Sequence, residues 1–329
     1  MSLVPPPAPK TSLVDVEFLL ARPLLDLVFE AAQVHRAHHN PQEIQCSQLL
    51  SVKTGGCPED CGYCSQSAHS DTPTKKEALL SVEATLAEAR QAKAAGADRF
   101  CMGAAWREVR DGSDFDAVLE MIKGVKELEL EACVTLGMVQ PHQAERLREA
   151  GLDYYNHNLD TGRSHYDNVV TTHSYDDRLG TLDAVRQAGI HVCSGGILGI
   201  GESSQARAEL LAELANLDPQ PESVPINALV RIEGTPMEDK DAVDWSEVVA
   251  TVAAARILIP ATTLRLSAGR GQMTEEAQAL CFLAGANSIF LGDMLLTTPN
   301  PAPKSDAALF SKLGLRPASR NSSAADAGK

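Results

Sequence analysis

Three cysteines crowd into one short stretch, Thr54 to His69, which reads TGGCPEDCGYCSQSAH. Cys57, Cys61 and Cys64 are separated by three residues and then two. Soft thiolates suit iron–sulfur clusters and zinc. Three thiolates can hold three irons of a cubane cluster, which leaves the fourth iron without a protein ligand. An open coordination position is what a catalytic metal site requires. Structural zinc held by the three cysteines and His69 is the competing reading. Core thiols are the third reading, and the Gly, Pro and Tyr between these cysteines speak against it.

Three more cysteines, Cys101, Cys133 and Cys193, fall near the middle of short apolar runs, DRFCMGAA, LEACVTLG and IHVCSGGILGIG. If the runs are neighbouring strands and the thiols point one way, they converge. For any one of them alone, a small buried thiol is the ordinary role. In LDYYNHNLD, Asn156, Asn158 and Asp160 are spaced by two. On a strand they share one face, with His157 and Leu159 on the other. Three polar side chains suit an interior ligand; a solvated strand end is the alternative. Cys46 and Cys281 read as buried thiols. His35, His38 and His39 read as a solvated cluster near a helix end rather than a metal site.

These residues need elements to hold them. Eight strand-like runs, from SQLLSVKTG to SIFLGDML, alternate with helical stretches that often start after Ser, Thr or Asp and end in Gly. Eight β-then-α units predict a closed parallel (β/α)8 barrel. An open doubly wound sheet is the rival. In a barrel the Cys57 loop follows the first strand and sits at the C-terminal mouth, where barrel active sites lie. Residues 1–40 read as an arm, MSLVPPPAPK, and a helical extension broken near Pro23; 41–315 as the barrel; 316–329 as a disordered polar tail.

The chain has 329 residues, ample for such a core, and a formal net charge of −15. That charge argues against nucleic acid and anionic membranes as partners. No apolar run reaches membrane-spanning length, and no secretory or transit pattern opens the sequence. With eight cysteines in a large acidic chain, metal or catalytic roles outrank disulfides, and the expected compartment is reducing cytoplasm.

The C-x3-C-x2-C loop, with Tyr63 before its third cysteine, is similar to that of the radical S-adenosylmethionine (SAM) superfamily. Gly195 to Glu202, GGILGIGE, resembles that superfamily's segment after the fifth strand. Within it, KTGGCPEDCGYCSQS, RFCMGAAWR, DYYNHNLDT, VCSGGILGIGE, ESVPINALV, RLSAGRGQM, AGANSIF and LLTTPNP resemble the biotin synthase family over about residues 40 to 315. Its enzymes insert sulfur into dethiobiotin to give biotin and cleave SAM to methionine and 5′-deoxyadenosine.

The resemblance implies that Cys57, Cys61 and Cys64 hold a 4Fe–4S cluster. It implies a 2Fe–2S cluster on Cys101, Cys133, Cys193 and Arg265. Residue chemistry alone offers Arg265 only as an anion anchor, because a guanidinium has no acceptor. The resemblance places Tyr63, Asn158, Asp160 and Arg178 at SAM, and Tyr154, Asn156 and Asn227 toward dethiobiotin. Read alone, Arg178 fits a helix surface equally well, and Arg99 is a similar, weaker candidate. No protein residue beyond the cofactors is assigned to catalysis. A flavodoxin- or ferredoxin-like electron donor and a homodimer are implied too. Another radical SAM enzyme on the same barrel is the first alternative, and Cys101, Cys133, Cys193 and Arg265 discriminate against it. A non-catalytic zinc module is the second, excluded if the purified protein holds iron and sulfide.

Overall fold

In the computed structural model, the described residues run from Lys10 to Ala318. The expected arm, apart from Lys10, and the tail from residue 319 onward lie outside them.

Two helices precede the barrel, α1 (Leu13–Leu20) and α2 (Leu24–His38). Ser12 caps α1, and Pro23 stands at the N-cap of α2, so the expected break falls there. The alternation then runs β1 (Glu43–Lys53), α3 (Val82–Ala94), β2 (Arg99–Ala104), α4 (Ser113–Glu127), β3 (Glu131–Thr135), α5 (Pro141–Glu149) and β4 (Tyr154–Asn156). It continues with α6 (Tyr175–Gln187), β5 (His191–Cys193), β6 (Gly196–Leu198), α7 (Ser204–Asn216), β7 (Ser223–Ala228), α8 (Trp245–Leu258) and β8 (Thr263–Leu266). The last pieces are α9 (Glu275–Ala284), β9 (Ser288–Leu291), the hairpin β10 (Met294–Leu295) and β11 (Thr298–Pro299), α10 (Pro303–Leu313) and β12 (Arg316–Pro317).

The strands pair in parallel in the order β1, β2, β3, β4, β5, β7, β8, β9, and β9 returns to β1. That closure decides for the barrel over the open sheet. β6 extends the fifth position and pairs with β7. No described helix is long and apolar enough to cross a membrane.

Alternation along the strands sorts side chains into two layers. Phe100, Met102, Ala132, Val134, Tyr155, Val192, Val224 and Leu264 join the main core between strands and helices. Cys101 and Cys133 belong instead to a separate interior cluster with Phe290 and Leu295. Strand register sets Leu49, Cys101, Cys133 and Tyr154 at one height. The thiols on β2 and β3 therefore converge inside the barrel.

Several expectations are corrected. The fourth strand ends at Asn156, not Asp160. The fifth run splits because Ser194 and Gly195 lie between β5 and β6, and a Cβ at Gly195 would come 2.0 Å from Pro225 O. The last run breaks at Gly292, φ +88°, before β10. The run KKEALLSVEATLAEARQAKAAG, expected to be helical throughout, is helical only from Val82; Glu77 N and Leu80 N donate instead to Thr54 O and Val52 O. Arg316 and Pro317, expected in the tail, pair with Glu43 and Ile44 of β1. His35 is 1% exposed, not solvated, because α2 packs on α8 and α9; His38 is exposed as expected. Cys46 and Cys281 are buried as expected.

Candidate active site

A cavity of about 330 Å³ occupies the barrel, with Cys57, Cys61 and Cys64 among its lining residues. The loop that carries them leaves β1 through Gly55 and Gly56, both at φ near +67°. A Cβ at Gly55 would meet Lys75 O at 2.6 Å, so the turn needs glycine. Cys57 N donates to Gln66 O (2.9 Å) and Ala68 N to Cys57 O (2.7 Å), folding the loop back on itself. All three thiols are free. Burial raises each thiol pKa, that of Cys64 to about 11. Loading a metal centre there releases protons.

The loop is pinned from outside by its two acids. Asp60 accepts from Thr171 N (2.9 Å) and Thr172 N (3.2 Å). Burial opposes the charge, but hydrogen bonds from Thr171 and Thr172 prevail and hold its pKa near 2. Glu59, 6% exposed, meets His173 Nδ1 at 2.7 Å and Arg107 at 3.3 Å. His69 is exposed and its Nε2 lies 3.1 Å from Pro58 O, outside the cavity lining. The zinc reading thereby loses its fourth ligand. Among the described residues no three His, Cys, Asp or Glu side chains form a group that could hold one metal ion. The thiolates of a multi-iron cluster each bind a different iron and stand further apart.

Deeper in the barrel lie Cys101, Cys133, Cys193 and Arg265, each 3% exposed or less. Cys101 and Cys133 are paired across β2 and β3, and their interaction eases ionisation of Cys101 and hinders that of Cys133. Burial raises the Cys193 pKa, against the pull of Arg265 and Ser223. Arg265 Nε donates to Ser288 Oγ (3.0 Å), and Nη2 to Gln45 Oε1 and Ser47 Oγ (both 3.0 Å). All these acceptors are neutral. A buried guanidinium so held is suited to an anionic neighbour.

Between the two thiol groups runs a polar wall. Asn156 follows the Cys133 level by two residues on β4, and its Nδ2 donates to Thr135 Oγ1 (3.0 Å). Asn158 and Asp160 also line the cavity, although the strand has ended. Leu159 N and Asp160 N both bond Gly195 O, and Asp160 sits at φ +65°, which turns the chain. His157, expected on the opposite face, lines the cavity as well. Asp160 Oδ2 accepts from Tyr63 Oη (3.0 Å) and Arg178 Nη2 (2.9 Å), while Arg178 Nε donates to Tyr166 Oη (2.8 Å). Arg178 is thus drawn off the helix surface into the site. Glu202 accepts from Gly199 N and Ile200 N and pairs with Arg207, fixing the glycine segment after β6. Asn227 Nδ2 donates to Gly196 O (2.9 Å), and its Oδ1 accepts from Ala268 N (3.2 Å).

Tyr154 stands level with Cys133 and packs against the Cys101–Cys133 cluster, its ring 3.4 Å from the Arg99 guanidinium. Arg99 neighbours the lower thiols rather than Arg178. Sequence reasoning missed the Glu59–His173 pair and the polar set around Arg265, whose members are far apart in the chain. It missed Leu295, Leu296, Thr297 and Thr298, which the β10–β11 hairpin brings to the cavity, with Thr297 Oγ1 2.7 Å from Ser65 Oγ. The LLTTPNP segment was the available signal.

Residues 51–214 match the radical SAM superfamily model, and residues 225–316 match the Biotin and Thiamin Synthesis associated domain. The biotin synthase of Methylococcus capsulatus is 59% identical over 302 residues, 92% of each chain. That of Gloeobacter violaceus is 58% identical over 311 residues, 94% of this chain and 98% of the relative. Among solved structures, methylornithine synthase superposes with TM-score 0.81 at 18% identity over 97% of each chain. The FeFe-hydrogenase maturase HydG gives 0.80 at 18% identity, over 94% of this chain and 72% of that one. These two share the fold.

A closed barrel with three thiols at its mouth and a matching superfamily model defines a radical SAM enzyme. Within that class, identity near 59% along nine-tenths of the chain is decisive: it belongs to the biotin synthase family.

Proposed function

We infer that this chain makes biotin by inserting sulfur into dethiobiotin, with SAM cleaved to methionine and 5′-deoxyadenosine. The observation that carries the reading is two separate thiol groups in one barrel, joined by a wall of asparagine and aspartate. The donor sets fit the two cofactors. Cys57, Cys61 and Cys64 would hold a 4Fe–4S cluster with an iron left open to SAM, and Cys101, Cys133, Cys193 and Arg265 a 2Fe–2S cluster. Bound there, the clusters supply the electron for SAM cleavage and the sulfur for the product.

The chain's own residues bind, orient and exclude water. Asp160, fixed by Tyr63 and Arg178, keeps Oδ1 for a SAM hydroxyl, and Asn158 stands beside it. Asn156 and Asn227, nearer the lower thiols, suit the ureido ring of dethiobiotin. Their amides are already oriented by Thr135, Gly196 and Ala268. Tyr154, level with Cys133 and stacked on Arg99, would border dethiobiotin at the lower end of the site. The reaction needs an electron donor, which we take to be a flavodoxin- or ferredoxin-like protein. A homodimer would cover the apolar face of α1 and α2, where Val14, Phe18, Leu25 and Phe29 are each at least 67% exposed.

The test is an anaerobic assay of the iron- and sulfide-loaded protein with SAM and a reductant. Methionine, 5′-deoxyadenosine and biotin should form together and depend on dethiobiotin. SAM cleavage that ignores dethiobiotin would point to another radical SAM reaction.

A further inference from the structure

We propose that Arg99 is a further residue of the lower metal centre, presenting a fixed hydrogen-bond donor and positive charge to the cluster held by Cys101, Cys133 and Cys193. The inference rests on the reading of those thiols as a 2Fe–2S site.

Arg99 opens β2 and lies two residues before Cys101, so both side chains point into the barrel. It is 2% exposed. Its Nε donates to Glu131 Oε2 at 2.8 Å, and Nη2 pairs with the same carboxylate at 2.8 Å. The Tyr154 ring covers one face of the guanidinium, 3.4 Å from its carbon. The group is thus held on two sides in one orientation. Its remaining nitrogen, Nη1, is buried and has no hydrogen-bond partner among the described residues. A buried donor without an acceptor is costly, so such a group invites an explanation. Glu131 and Tyr154 engage the other parts of the guanidinium, and on the barrel side its charge acts on the thiols of Cys101, Cys133 and Cys193 alike. Three thiolates on a 2Fe–2S core leave a net negative charge in the barrel. Arg265, with neutral acceptors only, answers that charge from β8. Arg99 answers it from β2, at the start of the strand.

Arg99 differs from Arg265 in having a carboxylate behind it. Glu131 offsets part of its charge and fixes its plane, so what it adds is mainly an aimed N–H. Hydrogen bonds to cluster sulfur stabilise the more reduced state and raise the reduction potential.

The test uses the full chain loaded with both clusters, comparing the unsubstituted protein with Arg99→Gln and Arg99→Lys. The readouts are 2Fe–2S content by Mössbauer spectroscopy, the circular dichroism of that cluster, and its midpoint potential. In Arg99→Gln the potential should move to a more negative value and the dichroism should change, while 4Fe–4S content and SAM binding stay as in the parent. Arg99→Lys, which keeps the charge, should fall between the two. A 2Fe–2S cluster in Arg99→Gln with parental potential and dichroism overturns the proposal. If Arg99→Gln alone does not fold, Arg99→Gln with Glu131→Gln removes the stranded carboxylate and carries the same comparison. An unsubstituted chain that assembles no 2Fe–2S cluster overturns the underlying reading of the thiols. A shift confined to the Arg99 variants upholds both.

Discussion

Asp160 carries much of the upper site on one carboxylate oxygen. Its Oδ2 takes both Tyr63 and Arg178, and the residue is 1% exposed. Removing one partner of such a buried pair costs about 3–5 kcal/mol, because the other charge is left stranded. Asp160→Ala should therefore weaken SAM binding more than tenfold, with dethiobiotin binding far less affected; equilibrium dialysis of both ligands separates the two. Equal SAM affinity in the variant would contradict the assignment. At the lower site, Cys133→Ala should lose the 2Fe–2S signal, whereas Arg265→Ala, which removes a poor donor, should retain part of it and of the product. Equal and complete loss in both would show Arg265 to be indispensable. Cysteine spacing made the upper thiols legible, since chemistry dictates it locally. Arg265 was not legible from its own chemistry, because its setting is built from Gln45, Ser47 and Ser288, more than two hundred residues away or on another strand. The contact of Tyr154 with Arg99 was not legible for the same kind of reason: it depends on a neighbouring strand.

The elements were read well where apolar periodicity was long. Helices such as α6, α7 and α9 start where the sequence signals them, because Ser174, Ser203 and Thr274 cap their first turns. Short strands were less legible. The split between β5 and β6, and the turn at Asp160, arise from close backbone approach across the barrel, which side-chain alternation does not encode. The strap at Thr171–His173, bonded to Glu59 and Asp60, makes a prediction at this scale. Glu59→Gln with Asp60→Asn should lower 4Fe–4S content after reconstitution and leave 2Fe–2S content unchanged, as Mössbauer spectra would show. Helix α2 makes another. Burial, with Arg256, His39 and Arg36 adding to it, lowers the His35 pKa to about 3. Above pH 6.5 folded and unfolded chains both keep His35 neutral. Below it the unfolded chain takes up the proton and the folded one does not, so stability falls as pH drops from 6.5 toward 3. The slope is at most about 1.4 kcal/mol per pH unit. Urea midpoints at pH 7.5 and 5.5 should differ less in His35→Leu than in the parent.

At the scale of the molecule, the barrel's closure was legible from eight repeated units, and the position of the Cys57 loop followed from it. Less visible was how the chain's end is tied in. Arg270, after β8, pairs with Asp306 of α10 at 2.6 Å with both side chains at most 5% exposed, and β12 then joins β1. This links the last helix to the strand that precedes the cluster loop. The tie also sets the frame from which the β10–β11 hairpin reaches the cavity. Closure puts two groups of thiols and the asparagine wall inside one barrel, and the central claim is that both groups serve one reaction. The most direct measurement loads the lower site with isotopically heavy sulfide, removes the excess, and runs one anaerobic turnover with SAM, reductant and dethiobiotin. Mass spectrometry should find biotin carrying heavy sulfur. Biotin with only light sulfur, or no biotin from protein that holds both clusters, would contradict the claim.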